Sequence, residues 1–163
     1  MQHYVIKTAA GEIVRIEQLT DPPDNLESGE TVTLLPSDQT PAQVMRASRP
    51  LAQIKAERVR QIKTARDAAI YGTFVWDDSV FDADQVSQTR ILGLKVASTD
   101  VNYAPIAWRL ADNSWRQLSA ADAGGVWDAL QAHVSGHFHT FAAREAAIMI
   151  ATSIAAVDAV TWA

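Results

Sequence analysis

The sequence contains no cysteine among its 163 residues. Disulfide bonds, thiolate nucleophiles and cysteine-based zinc sites are therefore excluded. Long apolar runs are also missing, since no stretch approaches the roughly 20 residues that a membrane-spanning helix needs. Residues 1–12 lack the basic and then apolar pattern of a signal peptide. We therefore expect a soluble protein, made in the cytoplasm, with no membrane insertion.

An excess of positive charge is missing too. The formal net charge is -5 and the sequence pI is about 5.2. Nucleic-acid binders need a basic surface to displace phosphate counterions, and anionic membranes attract basic segments. We therefore expect no nucleic-acid partner. The hydrophobic content of 48% is ordinary and is enough for a domain with its own core.

The first 35 residues are typical of a small β-structure. Residues 3–7 and 12–16 are rich in β-branched side chains and flank a glycine-containing turn, which predicts a β-hairpin. A third strand over 31–35 completes a hairpin or meander that is too small to be stable alone. We interpret residues 1–35 as an attachment segment and the proline-containing residues 36–49 as a linker.

Residues 50–163 form the second predicted domain, in which helices alternate with hairpins. The predicted order is helix, hairpin, helix, hairpin and long helix, so that the fold class of the chain is α+β. Side chains that cap helices mark each start. The elements are a helix from a Ser48 cap to about Tyr71, a hairpin over 73–81, a helix over 83–98 capped by Asp82, a hairpin over 104–118, and a helix from a Ser119 cap to about Ile150.

Three segments of this domain carry a family resemblance. They are "RVRQIKTARDAAIYGTFVWDDSVFDADQVSQTRILG", "AWRLADNSWRQLSAADAGGVWDAL" and "AAREAAIMIATSIAAVDAV". In their order and spacing they resemble an uncharacterised domain family found in tail proteins of tailed bacteriophages, often encoded beside the tail-fibre genes. The match covers roughly residues 50–160. The family offers no established catalytic residues or cofactors to carry over.

The resemblance implies a setting and not a reaction. It implies a non-enzymatic structural or assembly protein of a phage tail, located in the virion tail and, during assembly, in the host cytoplasm. Its partners would be other tail or tail-fibre proteins, or further copies of itself in a homo-oligomer. One alternative is a tail-fibre assembly chaperone that does not stay in the virion. Another is a protein that binds or cleaves glycans at the host surface.

Three histidines in the last long helix, His133, His137 and His139, are candidate metal ligands. His133 and His137 have the i, i+4 spacing of helical ligands, whereas His139 lies about 160° around the helix axis from His137. A zinc site needs further ligands, and the H-E-x-x-H order is absent. We therefore predict a histidine pair at the boundary with solvent, without a metal or cofactor.

Glu145 falls on the apolar face of the same helix. A buried carboxylate without a partner is strongly penalised. Arg58 and Arg66 lie on or near the apolar side of the first long helix, and we predict an ion pair between Glu145 and one of them. No second carboxylate or nucleophile accompanies Glu145, so that no catalytic residue is assigned.

The hairpins carry acidic and aromatic side chains. The acidic run "WDDSVFDAD" lacks the spacing of a calcium-binding EF-hand, and turn and cap roles account for it. Tryptophans on hairpins are common at interfaces. Trp127 and one of Trp108 and Trp115 are expected in the core. Trp76 or Trp115 is the candidate for an interaction surface.

Overall fold

The computed structural model describes residues 1–162. The chain forms two compact units, Met1–Ile54 and Lys55–Ala163. The first is mainly β and the second mixes helices with hairpins, which confirms the α+β prediction. Among the described residues, no helix is both long and apolar enough to cross a membrane.

The first unit contains a three-stranded antiparallel sheet. Its strands are β1 (Gln2–Lys7), β2 (Ile13–Leu19) and β3 (Thr31–Leu34), in the order β2-β1-β3. Gly11 turns the β1–β2 hairpin with a φ of 83°, a conformation that suits glycine. The third strand pairs with β1, and β1 is therefore the buried centre of the sheet. Both β2 and β3 are edge strands.

A short helix, α1 (Pro41–Ala47), lies in the segment that the sequence predicted as a linker. Thr40 caps it and Gln43 bonds back to the Thr40 amide, with proline at the first helical position. Ser48 ends this helix and does not begin the next one, so the predicted Ser48 cap is wrong. The carbonyl of Pro50 accepts the first bonds of α2 (Leu51–Ile70) instead.

The second unit begins within α2 and continues with a hairpin and a helix. The hairpin is β4 (Thr73–Trp76) and β5 (Ser79–Asp82), and the helix is α3 (Gln85–Ala97). Asp77 and Asp78 both have positive φ, 44° and 56°, as a two-residue type I′ turn requires. The cap of α3 is Asp84, which accepts from the amides of Val86 and Ser87. The predicted Asp82 cap is wrong because Asp82 pairs with Thr73 in the strand ladder.

A second hairpin and the longest helix complete this unit. The hairpin is β6 (Ile106–Arg109) and β7 (Trp115–Leu118), followed by α4 (Ala120–Ile150) and α5 (Ile154–Asp158). Ser119 and Asp122 form the predicted capping box at the start of α4. α4 packs against α3, β4 and β7. It is therefore the element that fixes both hairpins in place.

The core of the second unit lies between the hairpins, α3 and the first half of α4. Its fully buried side chains include Phe81, Ile91, Leu118, Val126 and Leu130. Burying a side chain of this size, instead of leaving it exposed to water, stabilises the fold by roughly 1.5–3 kcal/mol. Trp108 and Trp127 are partly buried against this cluster, which agrees with their expected core role.

Candidate functional site

The predicted histidine pair lies where α2 ends against α4. His133 Nε2 is 3.1 Å from the carbonyl oxygen of Ala69 and 3.2 Å from that of Ile70. These carbonyls belong to the last turn of α2, whose acceptors have no partner within the helix. His133 therefore caps α2 from outside, with Nε2–H as the donor.

His137 stacks between His133 and the C-terminal segment. Its ring centroid is 4.5 Å from that of His133, edge to face, and 5.9 Å from that of Trp162. Burial, with a smaller contribution from His133, lowers the pKa of His137 below its usual value. His139 is exposed, as its helical phase predicts. Within residues 1–162 no group of three side chains is arranged to hold a metal ion.

The predicted ion pair of Glu145 is not formed. Glu145 is half-buried, and the described residues supply it with no ion-pair partner. Arg58 instead donates to the carbonyls of Val160, at 2.8 Å, and Asp158, at 3.0 Å. These acceptors lie at the C-terminal end of α5, where helical carbonyls are unpaired and a positive charge is favourable.

Arg66 also has other partners. Its Nε donates to the Asp67 carboxylate at 2.9 Å. Its guanidinium lies 4.8 Å from the ring centre of Phe138 and 4.7 Å from that of Phe141. Two aromatic faces of α4 therefore hold this cation. Arg58 and Arg66 bind α2 to the C-terminal part of the unit, a structural role.

Trp76, one of the two tryptophans proposed for an interaction surface, is partly buried. The guanidinium of Arg116 lies 4.7 Å above its ring. A Cβ added to Gly125 would lie 2.5 Å from the indole Nε1. Gly125 therefore gives the indole the space to rest directly on the backbone of α4. Trp76 is partly buried against the core, so that Trp115 is the more exposed of the two candidates for an interaction surface.

Arg116 also fixes the turn of the first hairpin. It donates to the Asp77 carbonyl and to Ser79 Oγ, each at 2.8 Å, and forms an ion pair with the Asp77 carboxylate. The carboxylates of the acidic run therefore have different structural roles. Asp77 bonds to Arg116, Asp78 forms the turn and Asp84 caps α3.

Trp115 is the exposed tryptophan, with 68% of its surface accessible. It borders an open groove of about 440 Å³ between β6, the end of β5 and the first turns of α3. That volume lies within the roughly 300–1,000 Å³ of small-ligand sites. The residues that line the groove include Asp82, Arg90, Ala107, Arg109, Asn113 and Trp115.

One wall of the groove is the edge of β6 that pairs with no other strand within residues 1–162. Opposite residues of an antiparallel pair alternate between hydrogen-bonded and non-bonded positions. The bond from the Leu110 amide to the Ser114 carbonyl fixes this alternation, so that Trp108 bonds to Arg116. Ala107 and Arg109 therefore direct their amides and carbonyls away from β7 and towards the groove.

Two cations flank this edge. Arg90 and Arg109 are exposed, and neither has a hydrogen-bond or ion-pair partner in the described part of the chain. Asp82 is the acidic side chain on the groove wall. The local balance is therefore positive on a protein whose net charge is -5.

The side-chain hydroxyl on the groove wall is already hydrogen-bonded within the chain. Ser87, the one hydroxyl among the described residues of the groove lining, donates to the Asp84 carboxylate at 2.5 Å. That bond and the bond from the Ser87 amide lower the pKa of Asp84. A carboxylate of lowered pKa is a poor general base for a serine at neutral pH.

Sequence patterns pointed to Trp115 but missed Arg90, Ala107 and Arg109. The alternation of β6 and β7 places Arg109 beside Trp115 on the outer face. That signal was present in the sequence. The sequence carried no signal for the free edge of β6, because that edge depends on where the first hairpin lies.

Comparison with known families adds one result. Residues 53–161 match the model of a domain of unknown function, DUF4376. This chain belongs to the DUF4376 family. The match begins near the boundary between the two units and spans the groove. No curated protein and no solved structure matches the chain.

Proposed function

We propose that this DUF4376 protein is a non-enzymatic structural or assembly component of a bacteriophage tail, associated with the tail fibre or tail tip. It acts through contacts with other tail proteins or with further copies of itself. The phage setting rests on the three resembling segments, 58–93, 107–130 and 142–160. All three lie inside the region that matches the family model.

The groove at Trp115 is the observation that carries the proposal. It joins a largely exposed indole, a strand edge that pairs with no other strand within residues 1–162, and two arginines to which those residues give no partner. Exposed tryptophan and arginine are the side chains that most often dominate the binding energy of protein interfaces. Ser87, the one hydroxyl among the described residues that line the groove, is bonded to a carboxylate of lowered pKa.

The first unit supports the attachment role of residues 1–35. Its sheet ends at β2 on one side and at β3 on the other, and each pairs only with β1 within residues 1–162. Open strand edges are templates for pairing with another chain. A unit with two such edges suits a protein that is built into an assembly.

The test is the protein composition of purified phage particles, with a copy number for this chain. A fixed copy number in the tail is the expected result, and it also bears on symmetry. If deletion of the gene removes the fibres while particles never contain the protein, it is an assembly chaperone. If deletion leaves tails and fibres unchanged and the protein is absent from particles, the proposal is refuted.

A further inference from the structure

We propose that the groove beside β6 binds an extended, acidic segment of a partner polypeptide, which adds to the free edge of β6 as a new strand. This inference rests on the proposed function in protein–protein contacts and names the chemistry of the partner. It concerns Arg90, Arg109 and the backbone of Ala107, all of which face one groove.

The backbone of β6 supplies the first argument. Ala107 and Arg109 each present one amide and one carbonyl to the groove, at alternate positions of one strand. A peptide strand pairs with such a row at about 4.8 Å spacing. An extended polypeptide is therefore the ligand whose own groups repeat at the required interval, and main-chain bonds of this kind supply affinity in strand addition.

The position of the first hairpin supplies the second argument. The Ala111 amide, on the same side of the chain as those of Ala107 and Arg109, donates to the Val80 carbonyl at 3.0 Å. At this point the two hairpins are joined. From Arg109 back to Ile106, the described residues form no further bond of this kind with β5, since β5 ends at Asp82 and the chain then turns into α3. The groove is the space that a missing strand would fill.

The charges supply the third argument. Arg90 on α3 and Arg109 on β6 lie on the groove, and the described residues give neither an ionic partner. Charged side chains on a strand edge discourage indiscriminate pairing. The same two cations favour a segment with carboxylates and disfavour a basic one. The groove should therefore prefer acidic segments, although the net negative charge of the whole protein favours basic ones.

A saccharide is the competing ligand, because an exposed indole offers an apolar face to a sugar ring. Trp115 is, however, the one tryptophan on this outer face of the hairpin. Trp108 pairs with Arg116 and lies on the opposite face. A sugar stacked on Trp115 alone would leave the aligned backbone groups of Ala107 and Arg109 without partners. A peptide strand bonds to the backbone groups of both residues.

The probe is a seven-residue peptide in which valine and glutamate alternate, with the valine–lysine peptide as its matched control. We expect the purified full-length protein to bind the glutamate peptide more tightly than the lysine peptide, although its net charge of -5 favours the reverse. Amide hydrogen exchange, followed by NMR, identifies the mode of binding. The amides of Ala107 and Arg109 should become protected when the glutamate peptide is added.

Three variants test the parts of the site. Ala107→Pro removes an amide that points away from β7, so the β6–β7 ladder is kept and peptide binding is lost. Arg90→Gln and Arg109→Gln should each weaken binding by about two- to fivefold, as expected for partly exposed ion pairs. Arg60→Gln, an exposed arginine of α2 outside the groove, makes the same charge change and should leave binding unaltered.

Equal binding of both peptides, binding without protection of Ala107 and Arg109, or no binding by wild-type protein overturns the inference. Binding of a neutral oligosaccharide that quenches Trp115 fluorescence, with neither peptide bound, overturns it in favour of a sugar site. These results do not depend on particle composition. The inference can therefore fail while the phage-tail proposal stands, and the reverse.

Discussion

The two hairpins of the second unit have the same size but differ in how far their aromatic side chains are buried. β4–β5 and β6–β7 each pair four residues with four, and each carries a tryptophan next to its turn. In the first hairpin, Phe74 and Phe81 are buried, and Trp76 lies close to both Arg116 and Gly125 of α4. In the second, Trp115 is 68% exposed and the edge of β6 is open. The same local structure thus packs its aromatic side chains inward in one place and leaves an exposed indole and an open strand edge in the other.

The largest difference between the hairpins should appear on truncating one aromatic side chain in each. Phe81→Ala removes a fully buried ring that stacks on Phe74, with 5.4 Å between centroids. We expect a loss of about 3–5 kcal/mol in the free energy of unfolding. Trp115→Ala should change it by no more than about 0.5 kcal/mol. Urea denaturation measures both, and similar losses would show that Trp115 belongs to the core.

Gly125→Ala should be the next largest effect. The added methyl would lie 2.5 Å from Trp76 Nε1, so that either the indole or α4 has to move. Overpacking of this kind costs about 1–3 kcal/mol. Gly136→Ala is the matched control, since its Cβ meets nothing within 4 Å. It should stabilise the helix by up to about 1 kcal/mol. Stabilisation by both changes would contradict the packing of Trp76 on α4.

Two arginines on opposite faces of the second hairpin give a smaller contrast. Arg116→Ala removes the cation over Trp76 and the bonds to Asp77 and Ser79. We expect a loss of about 1–2 kcal/mol in thermal or urea unfolding. Arg109→Ala, which has no partner in the described part of the chain, should be close to neutral in stability. A larger loss for Arg109 than for Arg116 would reverse the assignment of the two faces.

The smallest effect concerns pH. The folded protein lowers the pKa of His137, so that below its usual value of 6.5 the unfolded chain binds more protons than the folded one. Stability should therefore fall as pH drops below about 6.5 and be unaffected by this group above neutral pH. His137→Gln should remove that part of the slope. Urea midpoints at several pH values, compared between wild type and variant, measure it. An unchanged slope in the variant would assign the titration to other groups.

Local signals in the sequence predicted the elements well. Ser119 with Asp122 and the Asp77-Asp78 turn were identified because each depends only on residues a few positions apart. The same kind of signal was present and missed at α1, where Thr40 and Gln43 form a capping box with Pro41 at the first helical position. The choice of Asp82 over Asp84 failed because strand pairing with Thr73, a tertiary feature, extends β5 as far as Asp82.

The partners of the charged side chains could not be predicted in this way. Helical phase placed Glu145, Arg58 and Arg66 on plausible faces, but the carbonyls of α5 and the rings of Phe138 and Phe141 hold the arginines instead. The groove depends in the same way on tertiary structure. It exists because one bond joins Val80 to Ala111 and pairing then stops. Nothing in the sequence around Val80 or Ala111 indicates that the two hairpins pair at this point and no further.

The most direct test of the open strand edge is amide hydrogen exchange on the protein alone. The account predicts strong protection at Trp108 and Leu110, whose amides face β7, and fast exchange at Ala107 and Arg109, whose amides face the groove. Equal protection at all four positions would contradict it, because a strand protected on both sides has no edge to offer a partner.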